Sequence, residues 1–323
     1  MKRPNINQNG IALMIVLWVL VLLMALATEF AFSMKMEVNT TRNYKEDTES
    51  YYLAKAGLNL AMAELFKTAS FHSIHDEYGW ITGNAAQAPA TGNATEESVE
   101  EVQEYDIVNR TDIELENGTI TYTIQDENGK IAINTASKDT LNKLLDYSGV
   151  KDKINRDTIS DSILDWIDSN KNHRINGAED DYYRTLRPPY YAKNGNIETL
   201  SELLKVRGVT EEIFYGSQEE DGEYKGIVQF LTVYNFTSVN PNTASEEVLK
   251  ILYSAEQAEE ILSNRAAKGY HSNSLSTFFR ITSTGKVQGS RTEHTLETVL
   301  EKTGSGNNKN MITHYWNDNV LDL

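Results

Sequence analysis

Asn9-Gly10-Ile11-Ala12-Leu13-Met14-Ile15-Val16-Leu17-Trp18 opens an uncharged run that lasts to Thr28, and the fold turns on how that run is read. As a helix rising about 1.5 Å per residue, residues 11–28 would span roughly 27 Å, enough for the hydrocarbon core of a bilayer. Lys2 and Arg3 precede the run and the first basic residue after it is Lys35, so the positive-inside bias places residues 1–10 in the cytoplasm and the bulk outside. Three readings fit. Ala25-Leu26-Ala27 has the small-x-small shape of a secretory cleavage site, although the apolar part of such a signal usually runs about 7–15 residues and this one is longer. A plain transmembrane anchor is the second. The third is a short polar leader that ends at Gly10 and abuts an apolar helix.

Past the membrane the helical pattern continues. Ser33 to Ala69 has no Pro and a single Gly, Gly57, and apolar residues recur at helical spacing at Tyr51, Ala54, Leu58, Ala61 and Leu65. One rod from Ile11 to about Ala69 would be near 90 Å long at about 1.5 Å per residue, and two separate helices would give the same pattern. The stripe Tyr51, Ala54, Leu58 and Ala61 needs cover. A partner interface is the expectation, with burial against the chain's own core as the alternative.

The whole chain, 323 residues, holds 30 Lys and Arg against 47 Asp and Glu, a formal charge of −17, which opposes nucleic-acid binding. Cysteine is absent, so disulfides, thiol nucleophiles and thiolate zinc sites are excluded. The six His show no His-Glu-x-x-His spacing, and no catalytic constellation is visible, so the chain is read as a non-enzyme.

Phe71 to Glu101 is rich in Gly, Ala, Asn and Thr and reads as loop. Tyr105-Asp106-Ile107-Val108 and Thr119-Ile120-Thr121-Tyr122-Thr123-Ile124 alternate like strands, with Asn117-Gly118 between them as a hairpin signal. An internal repeat follows. Asn134-Thr135-Ala136-Ser137 and Asn242-Thr243-Ala244-Ser245 each open a helix, with hydroxyls to cap the first turn and acids at 139, 246 and 247 to favour its positive end. The copies are read as ending alike, in short helices over Glu198 to Val209 and Ser272 to Ile281.

Between the halves of the first copy, Asp168 to Glu179 matches a twelve-residue calcium loop. Oxygen side chains fall at positions 1, 3, 5 and 9 (Asp168, Asn170, Asn172, Asn176), Arg174 can offer its carbonyl at position 7, and Glu179 stands at the bidentate position 12. His173 occupies position 6, where the sharp turn wants Gly. The alternative is a solvated, acidic helix end.

These features together resemble a known family. The leader ending at Gly10 is similar to the class III signal of type IV pilins and pseudopilins, which implies cleavage after Gly10 by a prepilin peptidase and methylation of Ile11. Most of that superfamily has Glu at the fifth mature position. Ile15 stands there instead, a departure characteristic of the K-type minor pseudopilin of type II secretion. Asn-Thr-Ala-Ser twice, Asp165-Trp166-Ile167-Asp168, Gly177-Ala178-Glu179-Asp180 and Phe230 to Tyr234 extend the resemblance along the chain.

The resemblance implies an α+β fold: a transmembrane and spine helix, and a pilin-like αβ core interrupted by an α-helical domain with tandem helix-hairpin-helix-like (SAM-like) repeats. The expected division is a leader at 1–10, a membrane helix at 11–32, a periplasmic spine at 33–70 and a pilin-like β region at 71–133. The first SAM-like domain with the calcium loop follows at 134–230, and the second repeat with the rest of the core at 231–323. It further implies structural Ca²⁺ at Asp168 and Glu179, with Asp180 a candidate for a second ion. The implied function is capping the tip of the secretion pseudopilus, helping to start its assembly and to export folded proteins across the outer membrane. The implied partners are the I- and J-type minor pseudopilins, other pseudopilins, the peptidase and the inner-membrane platform. A membrane-anchored DNA receptor of a competence system shares the repeat, but residues 240–262 hold one Lys against five Glu, too acidic for phosphate. The leader reading predicts a mature mass that starts at a methylated Ile11. A chain starting at Thr28 would instead support the secretory site and remove the anchor.

Overall fold

A computed structural model describes residues 8–66, 69–75, 79–83, 110–217, 224–304, 308–318 and 320. The apolar run and the stripe after it belong to one helix, α1 (Gln8–Leu65), so the two-helix alternative falls and the rod ends at Leu65, short of Ala69. A window of mean hydropathy 2.5 in its first half is long and apolar enough to cross a membrane. Large apolar side chains from Leu13 to Val38, Ile15 and Trp18 among them, are exposed. The second half is covered by the protein itself.

That cover is a five-stranded antiparallel sheet. β1 (Phe71–His75) and β2 (Gly79–Gly83) pair as a separate two-stranded sheet, which corrects the reading of residues 71–75 and 79–83 as loop, while residues 84–101 of that reading lie outside the described residues. The five-stranded sheet starts with β3 (Ile113–Leu115) and β4 (Gly118–Asp126), paired Ile113 with Ile120 and Leu115 with Gly118. The Asn-Gly signal therefore does mark a tight turn, but its upstream strand is 113–115. Tyr105 to Val108 lies outside the described residues. The chain then runs through β5 (Ile131–Ala132), α2 (Lys138–Tyr147), α3 (Lys153–Ile167), α4 (Asp180–Tyr183), α5 (Glu211–Tyr215), β6 (Leu231–Thr232), α6 (Glu246–Leu252) and α7 (Ala255–Lys268). It returns as β7 (Phe278–Val287), β8 (Glu293–Thr303) and β9 (Asn310–Asn317), giving the order β3-β4-β7-β8-β9. Two neighbouring strands, β4 and β7, thus bracket the whole helical stretch. Residues 278–281, expected as part of a short helix, are strand, because Phe278, Phe279 and Ile281 are apolar or aromatic residues that pair with β4 and β8.

The stripe Ala54, Leu58, Ala61 and Leu65 packs on Tyr122, Ile124, Phe279, Ile281, Leu296 and Leu300, with Tyr51 half-buried at its edge. The expectation that Tyr51, Ala54, Leu58 and Ala61 form a partner interface is therefore corrected: the sheet of the same chain already occupies that face. Contact is close enough to need glycine on both sides. A Cβ on Gly57 would lie 2.2 Å from Ser283 Oγ, and one on Gly285 would lie 2.3 Å from the Ser50 carbonyl oxygen. At the far end of α1 the buried Glu64 carboxylate pairs with the Arg110 guanidinium and accepts from Tyr122 Oη at 3.2 Å. Burial, first, and the Glu64 charge push the Tyr122 phenol up to about 12.

In the helical stretch both copies of the repeat are capped as their sequence requires, Ser137 Oγ accepting from Thr140 N at 3.1 Å and Ser245 Oγ from Val248 N at 3.3 Å. The asparagines that open them act as matching latches. Asn134 donates to the Ile197 and Val233 carbonyls and accepts from Ile197 N. Asn242 donates to the Ser272 carbonyl and accepts from His271 N and Ser272 N.

Where the helical stretch joins the sheet, a buried polar network ties the two. Asp126, at the end of β4, accepts from Ser276 Oγ at 2.5 Å, Thr243 Oγ1 at 2.5 Å and Asn240 Nδ2 at 3.1 Å. His72 Nδ1 accepts from Ser276 N at 3.0 Å. Burial pushes Asp126 up to about 6 despite these donors, whereas burial and then the Lys302 charge pull His72 down to about 3. The two groups act on stability in opposite directions. Below its ordinary value of 6.5, His72 takes a proton in the unfolded chain that the folded one refuses, so stability falls as pH drops from about 6.5 toward about 3. Asp126 binds its proton more tightly when folded, so its contribution rises as pH drops through about 6. Between pH 7 and 5 the histidine effect is worth about 2 kcal/mol of loss and the aspartate about 1 kcal/mol of gain. Replacing His72→Asn, which keeps an acceptor for Ser276 N, is expected to convert the acid-induced loss in urea unfolding of the micelle-bound chain into a gain of about 1 kcal/mol. Parallel pH profiles for the two proteins would show that His72 is not the acid-sensitive group.

Candidate functional site

The calcium-like loop leaves the C-terminal end of α3, which Asp152 caps at its start by accepting from Asn155 N. Two acids one turn apart, Asp161 and Asp165, lie on the buried face of this helix. Residues 174–177 wrap against them. Arg174 N donates to Asp165 Oδ2 at 3.0 Å, and Arg174 Nη1 reaches both Asp165 Oδ1 and Asp168 Oδ2 at 2.5 Å. The backbone can come this close only because residue 177 is glycine: a Cβ there would lie 1.8 Å from Asp165 Oδ2.

The residues chosen by spacing are only partly brought together. Asp168 faces the Arg174 guanidinium, and Asn170 N and Asn172 N bond back to Asp168 Oδ1 and Asn170 Oδ1, so these side chains shape the loop's own turns. The Arg174 carbonyl accepts from Gly177 N at 3.0 Å and faces His173 Nδ1 at 3.0 Å. Asn176 is turned out of the loop and donates to Asp161 Oδ2, so it is not placed as a ligand. Asp180 is engaged elsewhere, by Lys171 Nζ and Ala192 N. Among the described residues no group of three or more acids and histidines is placed around a common point for a metal. In this structure the twelve-residue segment is closed by its own Arg174, with His173 in place of the glycine a sharp turn needs.

Glu179 is the exception. It is 2% exposed, and its Oε1 has no hydrogen-bond partner among the described residues. Burial, then the charges of Asp165, Asp168, Asp180 and Asp181, push its carboxyl up to about 7. An orphaned buried carboxylate oxygen is the kind of donor a hard cation takes, while Asp165 and Asp168 are turned to Arg174. Asp165 escaped the count from position 168. Its signal was the Asp165, Asp168 pair one turn apart at a helix end, followed by Gly177.

The start of α7, beside the turn where a phosphate-gripping hairpin would need cations, exposes Glu256, Glu259 and Glu260. Arg265 is turned inward to the Ala244 carbonyl at 2.7 Å. The DNA-receptor reading has no support in this surface.

Comparison with known proteins places these features. Residues 115–216 match the family model described as type II secretion system (T2SS), protein K. The chain is 26% identical over 224 residues to the putative type II secretion system protein K of Escherichia coli K12, covering 65% of this chain and 61% of that protein. It is 24% identical over 280 residues to type II secretion system protein K of Pseudomonas aeruginosa, covering 82% of this chain and 75% of that one. The K protein of Klebsiella pneumoniae is 23% identical over 276 residues. The fold is similar, with a TM-score of 0.59 and 15% identity, to a chain in the crystal structure of the GspK-GspI-GspJ complex from enterotoxigenic E. coli, covering 88% of this chain and 100% of that chain.

Proposed function

This chain belongs to the type II secretion system protein K family, and from that premise we propose that it is the minor pseudopilin capping the tip of the secretion pseudopilus. The observation that carries the reading is α1: one helix whose first half is bare and apolar, and whose second half is the spine of an antiparallel sheet. A bare apolar half needs lipid or the packed helices of neighbouring subunits, and a sheet fixed to the other half gives each subunit a rigid head. At the tip the chain helps start assembly and the export of folded proteins across the outer membrane. It acts as an assembly subunit and not as an enzyme.

Ile15 supports the tip position. A filament subunit with an acid there would neutralise the N-terminal ammonium of its neighbour, since a lone charge in apolar surroundings costs several kcal/mol. A subunit with no neighbour above has no such need. The chain sits in the inner membrane with its N-terminus inside, is cut by the prepilin peptidase, and meets the secretion platform there. The helical stretch between β4 and β7 is an inserted domain with two SAM-like repeats, which the matching latches of Asn134 and Asn242 support.

The solved neighbour was captured with GspI and GspJ, and I- and J-type pseudopilins are the partners proposed here. Since the sheet covers Ala54, Leu58 and Ala61, the contact falls on the other side of α1, where Tyr52 and Leu60 are exposed. Tyr52→Glu with Leu60→Glu is expected to lower recovery of both partners from membranes at least about tenfold, an effect of about 1.4 kcal/mol, while thermal stability stays unchanged. Full recovery of both would move the interface off this face.

Calcium is part of the proposal. Asp165, Asp168 and Glu179 would hold the ion, which would supply positive charge to the orphaned Glu179 and fix the loop in place of Arg174. Affinity would be in the weak range of extracellular modules, about 10⁻⁴ to 10⁻³ M. At about ten times the dissociation constant, calcium adds about 1.4 kcal/mol to folding. Thermal melts in chelator, Ca²⁺ and matched Mg²⁺ are expected to show a rise specific to calcium that Glu179→Gln removes. Identical melts in all three solutions, or a full response in Glu179→Gln, would sink the metal and leave the pseudopilin reading standing.

A further inference from the structure

We propose that the groove between α3 and the Pro188–Tyr191 turn is a docking site for an extended, acidic, proline-bearing segment of an exported protein. The groove has a volume of about 570 Å³. Trp166 lines it together with Pro188, Pro189, Tyr190 and Tyr191, and Lys205 stands at its rim. Three observations indicate a ligand and its chemistry.

The first is an unanswered donor. Trp166 is 3% exposed, and its indole N–H finds no acceptor among the described residues. A buried donor left unpaired is costly, and since the N–H itself is covered, a carbonyl from outside meets it once the indole ring turns toward the groove on binding. An extended peptide in the polyproline conformation makes no internal hydrogen bonds, so its carbonyls are free to accept.

The second is the rigidity of the wall. Tyr190 Oη donates to the Lys205 carbonyl at 2.7 Å, and its ring stacks on Tyr183 with centroids 5.3 Å apart. Tyr183 in turn meets the Trp166 ring edge-on at 5.2 Å. A wall already ordered loses little entropy on binding, and flat aromatic and proline surfaces suit the faces of proline rings. A sugar would need several directional polar partners. Of the charged side chains lining the groove, Lys193 and Glu202 already bond each other at 2.9 Å.

The third is charge. Residues 182–207 hold five Lys and Arg against two Glu, in a chain whose total is −17. Lys205 is exposed and pairs with no carboxylate among the described residues, and Arg184 lies over the Tyr191 ring at 5.9 Å. An acidic residue beside the proline would meet this cationic rim. That the segment comes from an exported protein rests on the tip position proposed above, whereas the groove's chemistry does not.

The test titrates the full chain in lipid nanodiscs, with ¹⁵N-labelled tryptophan, using acetyl-Glu-Pro-Leu-Pro-Asp-amide as probe. The Trp166 indole proton is expected to move downfield with a dissociation constant of about 10⁻⁴ to 10⁻³ M, weakening as salt rises. Lys205→Glu and Tyr191→Ala, both at exposed positions, are each expected to weaken binding at least about fivefold while the other tryptophan signals stay in place. The proposal is overturned if the Trp166 signal is unmoved at about 5 mM peptide, several times the weakest expected constant. Equal binding of a peptide with Lys in both acidic positions, chitotetraose shifting the same signal in place of the peptide, or full affinity in Lys205→Glu would overturn it too. Failure of this titration leaves the tip assignment intact, and failure of the tip assignment leaves the titration unchanged.

Discussion

The close seating of α1 on the sheet is the contact on which the rest of the molecule depends. Ala54, Gly57 and Ala61 leave the helix nearly smooth, and Ser283 and Gly285 leave β7 equally flat, so helix backbone and strand approach to within what a single Cβ would block. Interiors are packed too tightly to absorb an added side chain without moving one element off the other. The registry set here orients all five strands relative to a helix that continues, without a break, into the apolar half. The exposed apolar half and the sheet are thereby joined through one continuous helix. The same seating settles which face of α1 is unavailable to other proteins.

The second requirement is a junction between the sheet and the helical stretch. The chain leaves the sheet after Asp126 and returns at Phe278, on adjacent strands, so the whole excursion hangs from two closely spaced points. Buried polar groups are tolerable only when satisfied together. Here Asp126 gathers the hydroxyls of Thr243 and Ser276, Asn240 donates to the Asp126 carboxylate and the His72 carbonyl, and Asn128 Oδ1 accepts from Thr277 N and Phe278 N. Glu127 adds ion pairs to Lys130 and Arg280. Such a network is directional where apolar packing is not, so it fixes the angle of the helical stretch as well as its attachment.

Much of this was legible in the sequence, because it rests on local patterns. An uncharged run, a helix without proline, the paired Asn-Thr-Ala-Ser caps and the Asn117-Gly118 turn each carry their signal within a few residues. What escaped depends on distant partners. The stripe on α1 gives one periodicity whether a neighbour or the chain's own sheet covers it, and Phe278 to Ile281 becomes strand only because β4 and β8 flank it. The strand pair at 71–75 and 79–83 was hidden because its glycines suggested a loop while its partners were out of view. Asn134 and Asn242 were read as part of helix caps; their latching to segments 63 and 30 residues away has no local signature.

The acidic loop illustrates why a spacing match is weaker than a charge balance. Asp165, Asp168, Glu179, Asp180 and Asp181 crowd one end of α3, and a folded chain must oppose that charge with something. Lys171 answers Asp180, and Arg174 answers Asp165 and Asp168 together. Among the described residues no cation pairs with Glu179, which is held toward its neutral form by burial and by its neighbours. A guanidinium is planar and donates in fixed directions, and here it bridges Asp165 and Asp168 without bonding Glu179. A spherical divalent cation has no such restriction. Internally the loop balances Asp165 and Asp168 through Arg174, and the calcium proposed above would answer the charge that remains on Glu179. The fully buried Asp165, pressed against Gly177, fixes where the Arg174 guanidinium stands.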